Sequence, residues 1–190
     1  MSILLLHAHP DAPPSRVNAA LLAAARTVPG LTVHALYDAY PHFFVNAARE
    51  QALVEAHRVV VFQHPIYWYS VPPLLKQWFD TVLEEGWAYG HGATATLGKT
   101  WAHALTTAGS PESYAASRDP DDDPDGRANV YGLHDYVKPW RQSARLCGMR
   151  WQAPFTVHSA EAIDDAGLDA ACGRYRDWLA ALAAGPAAGA

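Results

Sequence analysis

Three segments of the chain carry residues of the types and spacing that bind a flat, phosphorylated ligand. Residues 9–18 are rich in turn-forming types, residues 64–73 contain three consecutive aromatic side chains, and residues 106–110 are small or hydroxylated. Aromatic faces pack against planar rings, whereas hydroxyl groups and free backbone N–H groups bind phosphate oxygens and carbonyl edges. Together the segments predict a site for a flat cofactor, provided that the fold brings them to one place.

The aromatic segment follows a run that is typical of a fully buried strand. Residues 58–63 are mostly β-branched or apolar and show no polar alternation. Pro72 and Pro73 suit the first turn of a helix, where a missing N–H group costs little. A strand that feeds a helix places the intervening loop at the strand's carboxyl end, where open parallel sheets bind ligands. Considered alone, this loop also fits an ordinary hydrophobic connection.

The first segment joins an apolar run at residues 2–8 to a helix-forming stretch at residues 19–26. Ser15 is a natural N-cap for that helix. The free N–H groups and the positive dipole end of a helix N-terminus favour an anion such as phosphate. No glycine-rich fingerprint accompanies the pattern, so a plain strand-to-helix connection stays open on these residues alone.

Composition and charge limit the class of protein. The 190 residues are 50% hydrophobic and 17% charged, which fits one folded domain, expected over residues 1–183, with a disordered tail at 184–190. The net charge of −5 and the lack of a basic stripe argue against nucleic-acid binding. No apolar run approaches the ~20 residues of a membrane span, and two cysteines make no disulfide framework. These features predict a cytoplasmic protein.

The order of the predicted elements indicates a doubly wound α/β fold. Five strands are predicted, each followed by a helix, at residues 2–8, 31–37, 58–63, 101–107 and 149–158, and Pro154 of the fifth is expected near an edge or a bulge. This pattern favours a five-stranded parallel sheet in the flavodoxin-like order 2-1-3-4-5, with helices on both faces. The three ligand-binding segments follow strands one, three and four, which are neighbours in that order. We therefore expect the segments to converge on one pocket.

Several motifs give the chain a resemblance to a known family. They are Ala8-His9-Pro10, His64-Pro65-x-x-Trp68-Tyr69-Ser70-x-Pro72-Pro73-Leu74-Leu75-Lys76, Gly86-Trp87-Ala88-Tyr89-Gly90-His91-Gly92, Thr106-Thr107, Cys147-Gly148 and Pro154-Phe155. In these the chain resembles the flavodoxin-like NAD(P)H:quinone oxidoreductases, and most closely the ancillary flavoproteins of glutathione-regulated potassium-efflux systems. The resemblance implies a homodimer that binds FMN or FAD and accepts hydride from NAD(P)H.

The resemblance also implies roles for individual residues. The flavin phosphate is expected against His9, Ser15, Arg16, Val17 and Asn18. The flavin ring is expected against Pro65, Ile66, Tyr67, Trp68, Thr106, Thr107 and Gly109. The nicotinamide and the quinone are expected near Tyr69, Tyr89 and His91, and the last two can come from the same chain or from the other subunit. Tyr114 and His91 are the candidate catalytic residues, for proton delivery or charge stabilisation.

Two departures from the family pattern lie in the segment after the fourth predicted strand. The histidine that usually accompanies the tyrosine at position 114 is not evident, because the residue six positions on is Pro120. Ala108 stands where many members have glycine, which puts the backbone fit at that position in question.

The activity implied by the resemblance is a two-electron, ping-pong reduction of quinones by NAD(P)H. A second hypothesis is a regulatory flavoprotein subunit of a potassium-efflux transporter, held near the inner membrane through that partner. A third, a zinc-dependent deacetylase, rests on Ala8-His9-Pro10-Asp11 and on His7 and His9, which point the same way on a strand. Residues 121–126 match the opening of a calcium loop, but Gly132 takes the place of its bidentate glutamate, which favours a solvated acidic loop at 118–127.

Overall fold

A computed structural model describes residues 1–10, 14–115 and 129–185 as a parallel sheet between two layers of helices. The strands are β1 (Ile3–His7), β2 (Leu31–Ala35), β3 (Val59–Pro65), β4 (Thr100–Thr106), β5 (Arg150–Trp151) and β6 (Phe155–Val157). The helices are α1 (Arg16–Ala25), α2 (Leu36–Ala39), α3 (Ala47–Glu55), α4 (Pro73–Val82), α5 (Leu133–Tyr136), α6 (Lys138–Leu146) and α7 (Asp165–Ala184). The sheet follows the order β2-β1-β3-β4-β5 with parallel pairing. The predicted flavodoxin-like architecture is confirmed.

The edge of the sheet beside β4 differs from the prediction. Instead of one continuous strand over residues 149–158, β5 and β6 each pair with β4. Trp101 pairs with Trp151, and Ala104 pairs with Phe155. Between these two pairs the edge segment therefore contains one residue more than β4 does. The extra residue interrupts the ladder next to Pro154, which has no N–H group to donate. The single strand predicted over residues 149–158 is two strands, whereas the edge or bulge predicted near Pro154 and the place beside β4 are confirmed.

Local sequence signals explain several element boundaries. Ser15 caps α1 as predicted, because its Oγ accepts a hydrogen bond from the Asn18 backbone N at 3.2 Å. Pro73 opens α4 within the first turn, where its missing N–H group is harmless. β2 is shorter than predicted, because residues 36–39 form the short helix α2.

The core lies on both faces of the sheet. Leu4 and Leu6 of β1 pack with the layer formed by α2, α3, α4 and α6, whereas Ile3 and Leu5 pack with α1 and α7. All four side chains are fully buried. Each contributes about 2 kcal/mol to the free energy of folding relative to an exposed position. Burial on both faces explains why the central strands show no polar alternation.

The carboxyl end of the described chain is helical. α7 runs to Ala184, one residue into the segment predicted as a disordered tail, and residues 186–190 lie outside the described residues. Within the described ranges, no helix combines the length and apolar character needed to cross a bilayer.

A directional chain of hydrogen bonds links β4 to the end of β3. Trp101 Nε1 donates to His103 Nε2 at 2.7 Å, and His103 Nδ1 lies 2.9 Å from His64 Nε2. His64 Nδ1 in turn lies 2.9 Å from the carbonyl oxygen of Pro65. The indole N–H only donates and the carbonyl only accepts, so both imidazoles are neutral Nδ1–H tautomers. Both rings are fully buried, and burial lowers the pKa of His64 to about 4 and that of His103 well below its ordinary value.

We expect the free energy of unfolding to fall as the pH drops from 6.5 towards 4. His64 in the unfolded chain binds a proton near pH 6.5, whereas the folded protein keeps it neutral down to about pH 4. The stability from this group is therefore complete above pH 6.5 and is lost in acid, by about 2 kcal/mol at pH 5. Urea unfolding at pH 7 and pH 5 tests this against His64→Gln, which cannot titrate. Equal losses in the two proteins would contradict the prediction.

Candidate functional site

The loops that follow β1, β3 and β4 meet at the carboxyl edge of the sheet. Backbone hydrogen bonds extend the pairing just past the strands, from Ala8 N to Gln63 O at 2.9 Å, from Ile66 N to Thr106 O at 2.9 Å and from Thr107 N to Val157 O at 3.0 Å. The structure thus brings together the three segments predicted to share a pocket. His9 links two of them, because its buried ring lies 6.3 Å, centroid to centroid, from the Tyr67 ring.

A buried hydrogen bond joins the first segment to the third. Asn18 Nδ2 donates to Thr106 Oγ1 at 2.9 Å and to Ser15 Oγ at 3.2 Å. The Asn18 side chain is 2% exposed, yet none of the described residues donates a hydrogen bond to its Oδ1. Such an unmatched buried acceptor is rare in folded proteins and suits a ligand that brings a hydroxyl group.

Two residues expected at the phosphate have their side chains engaged elsewhere. The Arg16 guanidinium donates to the Ile163 carbonyl oxygen at 2.9 Å and to Asp165 Oδ1 at 2.7 Å, at the start of α7. The Val17 side chain is buried in the core between α1 and the sheet. Both residues lie in the first turn of α1, so what they offer an anion is their backbone N–H groups.

The aromatic segment forms a tight turn with an unusual backbone. Tyr67 and Ser70 exchange two backbone hydrogen bonds of 3.0 Å, which leaves Trp68 and Tyr69 as the two central residues. Their φ angles are +48° and +61°, the pattern of a type I′ turn, in which asparagine and glycine are the usual residues. An aromatic residue in the left-handed region costs about 1–2 kcal/mol. Trp68 is also 93% exposed, so the fold maintains a strained turn that presents a bare indole.

A row of rings extends from this turn across the third segment. Tyr69 stacks on Tyr136 of α5 at 4.9 Å, Tyr136 meets Tyr114 edge-on at 6.0 Å, and Tyr114 lies 5.6 Å from the His158 ring. Burial raises the pKa of Tyr114, so its phenol is protonated at neutral pH. Tyr69 and Tyr114 were predicted from sequence, whereas Tyr136 and His158 were not. The one available signal was the place of His158 as the last residue of the fifth predicted strand.

The structure next to Tyr114 explains why position 109 is glycine and shows that alanine fits at position 108. A Cβ atom at Gly109 would come within 2.9 Å of Tyr114 Cε2, so a side chain there would displace the ring. Ala108 is exposed and its backbone stays outside the left-handed region. The alanine therefore fits without strain, although the resemblance leads one to expect glycine.

Tyr89 and His91 do not join this cluster within one chain. Their loop precedes β4 and lies at the opposite, amino-terminal edge, where Lys99 Nζ donates to the carbonyl oxygens of Glu55 and His57 ahead of β3. The seven residues of β4 separate the two edges by about 20 Å. Within one chain, Tyr89 and His91 therefore lie away from the candidate site.

Two grooves differ in their relation to the predicted site. One of about 640 Å³ borders the aromatic turn and is lined by Ile66, Tyr67, Trp68, Ser70, Val71 and Pro73. A larger one, about 980 Å³, follows α6 and is lined in part by Lys138, Arg141 and Arg145. The larger groove contains none of the residues predicted for the flavin or its substrates.

The alternative metal sites gain no support from the described residues. The His7 and His9 rings lie 6.4 Å apart, and no group of three His, Cys, Asp or Glu side chains in residues 1–10, 14–115 and 129–185 is arranged to hold a metal ion. Asp11 of the deacetylase-like motif and the calcium-loop match at 121–126 fall outside those ranges, as does the acidic loop at 118–127.

The chain is similar to a flavodoxin-like family and to named bacterial relatives. The family profile described as flavodoxin-like fold matches residues 1–179. The glutathione-regulated potassium-efflux system ancillary protein KefG of Escherichia coli K12 is 42% identical over 181 residues, which cover 94% of this chain and 92% of that protein.

Two solved structures share the architecture over almost their full length. The general stress protein 14 of Treponema denticola, solved in complex with FMN, is 36% identical with a TM-score of 0.79, covering 97% of this chain and 99% of that one. An NADPH-quinone reductase from P. pentosaceus is 25% identical with a TM-score of 0.75, covering 94% and 97%.

Replacing the strained turn with residues suited to it should stabilise the protein. The double variant Trp68→Asn, Tyr69→Gly has the preferred type I′ pair, so its free energy of unfolding should rise by about 1–3 kcal/mol. Urea unfolding of the ligand-free protein measures this change. Trp68→Ala is the control, because it removes the indole but keeps a side chain in the left-handed region. A double variant no more stable than Trp68→Ala would contradict the strain assignment.

Proposed function

The chain belongs to the flavodoxin-like family, and from this premise we propose that it binds a flavin, FMN or FAD, at the carboxyl edge and uses it to reduce quinones with NAD(P)H. One observation carries the proposal: the Asn18–Thr106 hydrogen bond and the backbone bonds at the strand ends hold a helix N-terminus, an aromatic turn and a hydroxylated segment around one place. That combination suits a phosphate joined to a flat ring.

The residues present fit such a cofactor. The N-terminus of α1 offers N–H groups to a phosphate, and the unmatched Asn18 Oδ1 suits a hydroxyl of the sugar-alcohol chain. The backbone N–H groups of Trp68 and Gly109 donate to no other described residue, so both are available to polar atoms on a ring. The T. denticola relative, solved with FMN, supports a flavin. The P. pentosaceus relative supports a nicotinamide donor and a quinone acceptor.

The reaction consumes one NAD(P)H, one quinone and one proton, and yields NAD(P)⁺ and a hydroquinone. When bound, a flavin would supply the hydride chemistry that links the nicotinamide to the quinone. The protein binds the cofactor and the substrates and orients them towards each other. Trp68 offers a flat surface to the flavin ring, and Tyr69, which stacks on Tyr136, offers a ring face to each substrate in turn. Tyr114 offers a phenol proton beside the ring, and Tyr89 and His91 would complete the pocket from the second subunit of a homodimer.

A second candidate function rests on the relatives named KefG. Identity of 42% across 94% of the chain favours a role as the ancillary subunit of a potassium-efflux transporter, with the protein held at the cytoplasmic side of the inner membrane through that partner. One flavin site can serve both quinone reduction and regulation of the transporter. Co-purification of the tagged protein with the transporter from solubilised membranes is the expected result. Recovery without the transporter would leave the enzymatic function alone.

The purified protein should be yellow and should follow ping-pong kinetics. We expect a flavin absorption spectrum, release of FMN or FAD on denaturation, and parallel double-reciprocal lines with NAD(P)H and a soluble quinone, because both substrates use one site in turn. Mass analysis of the released cofactor distinguishes FMN from FAD, and comparison of NADH with NADPH identifies the donor. Colourless protein that stays apo when FMN and FAD are added would contradict flavin binding, and intersecting lines would contradict the shared site.

A further inference from the structure

His158 is a half-buried titratable residue in the candidate site to which the proposed mechanism gives no role. It follows β6 at the carboxyl edge, and its ring lies 5.6 Å from the Tyr114 ring. Its Nδ1 is 3.0 Å from Thr107 Oγ1. The residue therefore touches two of the side chains expected next to the ligand.

The direction of the hydrogen bond between His158 and Thr107 follows from a third partner. Thr107 Oγ1 lies 2.8 Å from the carbonyl oxygen of Gly109, and a carbonyl only accepts, so the hydroxyl proton points to Gly109. Thr107 Oγ1 can then only accept from His158. The Nδ1 of His158 must carry a proton, and in the neutral ring Nε2 holds the lone pair. Among the described residues, Nε2 has no hydrogen-bond partner.

The surroundings of this ring favour its neutral form at neutral pH. The titratable groups that act on it are Glu112 and Tyr114, both on the turn after β4, while the strand end contributes Thr107, which does not titrate. Burial lowers the pKa of His158, and the carboxylate of Glu112 partly offsets this effect. At neutral pH the ring is therefore mostly uncharged, with one nitrogen able to accept a proton.

We propose that His158 is a positioning residue that also balances charge in the site: Nδ1–H holds the Thr107 hydroxyl in place, and Nε2 binds a proton when two electrons enter the ligand. This inference rests on the proposed flavin function. In the first half-reaction a hydride enters the site and His158 takes one proton from solvent. In the second the quinone accepts that hydride and one proton to become hydroquinone, and His158 returns to its neutral form.

The tautomer is tested first, on protein without flavin. NMR of protein labelled with ¹⁵N-histidine should show His158 as the neutral Nδ1–H tautomer at pH 8, with the signal assigned by its loss in His158→Asn. Thr107→Val removes the acceptor, so in that variant the signal should move towards the Nε2–H form that predominates in free histidine. An Nε2–H tautomer in the wild-type protein would overturn the hydrogen-bond assignment.

The charge-balancing role is tested in the flavin-loaded protein. His158→Asn keeps an N–H donor near the position of Nδ1 but cannot titrate, so comparison with the wild type cancels the proton dependence of the flavin itself. The wild-type reduction potential should lie above that of the variant at pH 5.5, and the difference should shrink to nothing by pH 8.5. No difference, or a difference independent of pH, would overturn the charge-balancing role.

Failure of the proposed flavin function and failure of the proposed role of His158 would give different results. If the wild-type protein binds no flavin, the proposed function fails, while the NMR measurement still decides the His158–Thr107 hydrogen bond. If flavin binds and quinone is reduced but the two potentials stay parallel across the pH range, the function stands and the role of His158 fails.

Discussion

The site depends on hydrogen bonds that lie just beyond the ends of the central strands. Parallel strands all end at the same edge, but loops of different length would spread apart if nothing fixed their starting points. The bonds from Ala8 to Gln63, from Ile66 to Thr106 and from Thr107 to Val157 carry the ladder into the loops. The Asn18–Thr106 side-chain bond then ties α1 to the same edge. Because backbone groups make most of these contacts, side chains in the loops remain free to serve a ligand.

A rigid interior supports the strained turn. The hydrogen-bond chain from Trp101 through His103 and His64 ends on the Pro65 carbonyl, one residue before the aromatic segment diverges from the sheet. Its two neutral imidazoles are satisfied at every nitrogen, so the buried polar groups there stabilise one arrangement of the strand end. The unfavourable backbone angles at Trp68 and Tyr69 then persist, as strain does where the surrounding structure over-determines it.

Much of this arrangement follows from sequence, and the remainder has a physical reason. The apolar runs of β1, β3 and β4, the Ser15 cap and the converging segments were all predictable, because local pattern and the rules of parallel sheets decide them. The break between β5 and β6 was predictable only as an edge or bulge near Pro154, since a single inserted residue leaves the hydrophobic pattern almost unchanged. His158 and Tyr136 were missed because their neighbours in space are distant in the chain. The placement of Tyr89 and His91 follows from α4, which returns the chain to the opposite edge of the sheet.

We propose that one edge of the sheet binds a flavin ring between the aromatic turn and the residues after β4. A crystal structure of the protein grown with FMN would locate the ring. The phosphate should lie at the N-terminus of α1 and the ring between Trp68 and the segment from Thr106 to Gly109. A ring bound elsewhere, for example in the basic groove along α6, would contradict it.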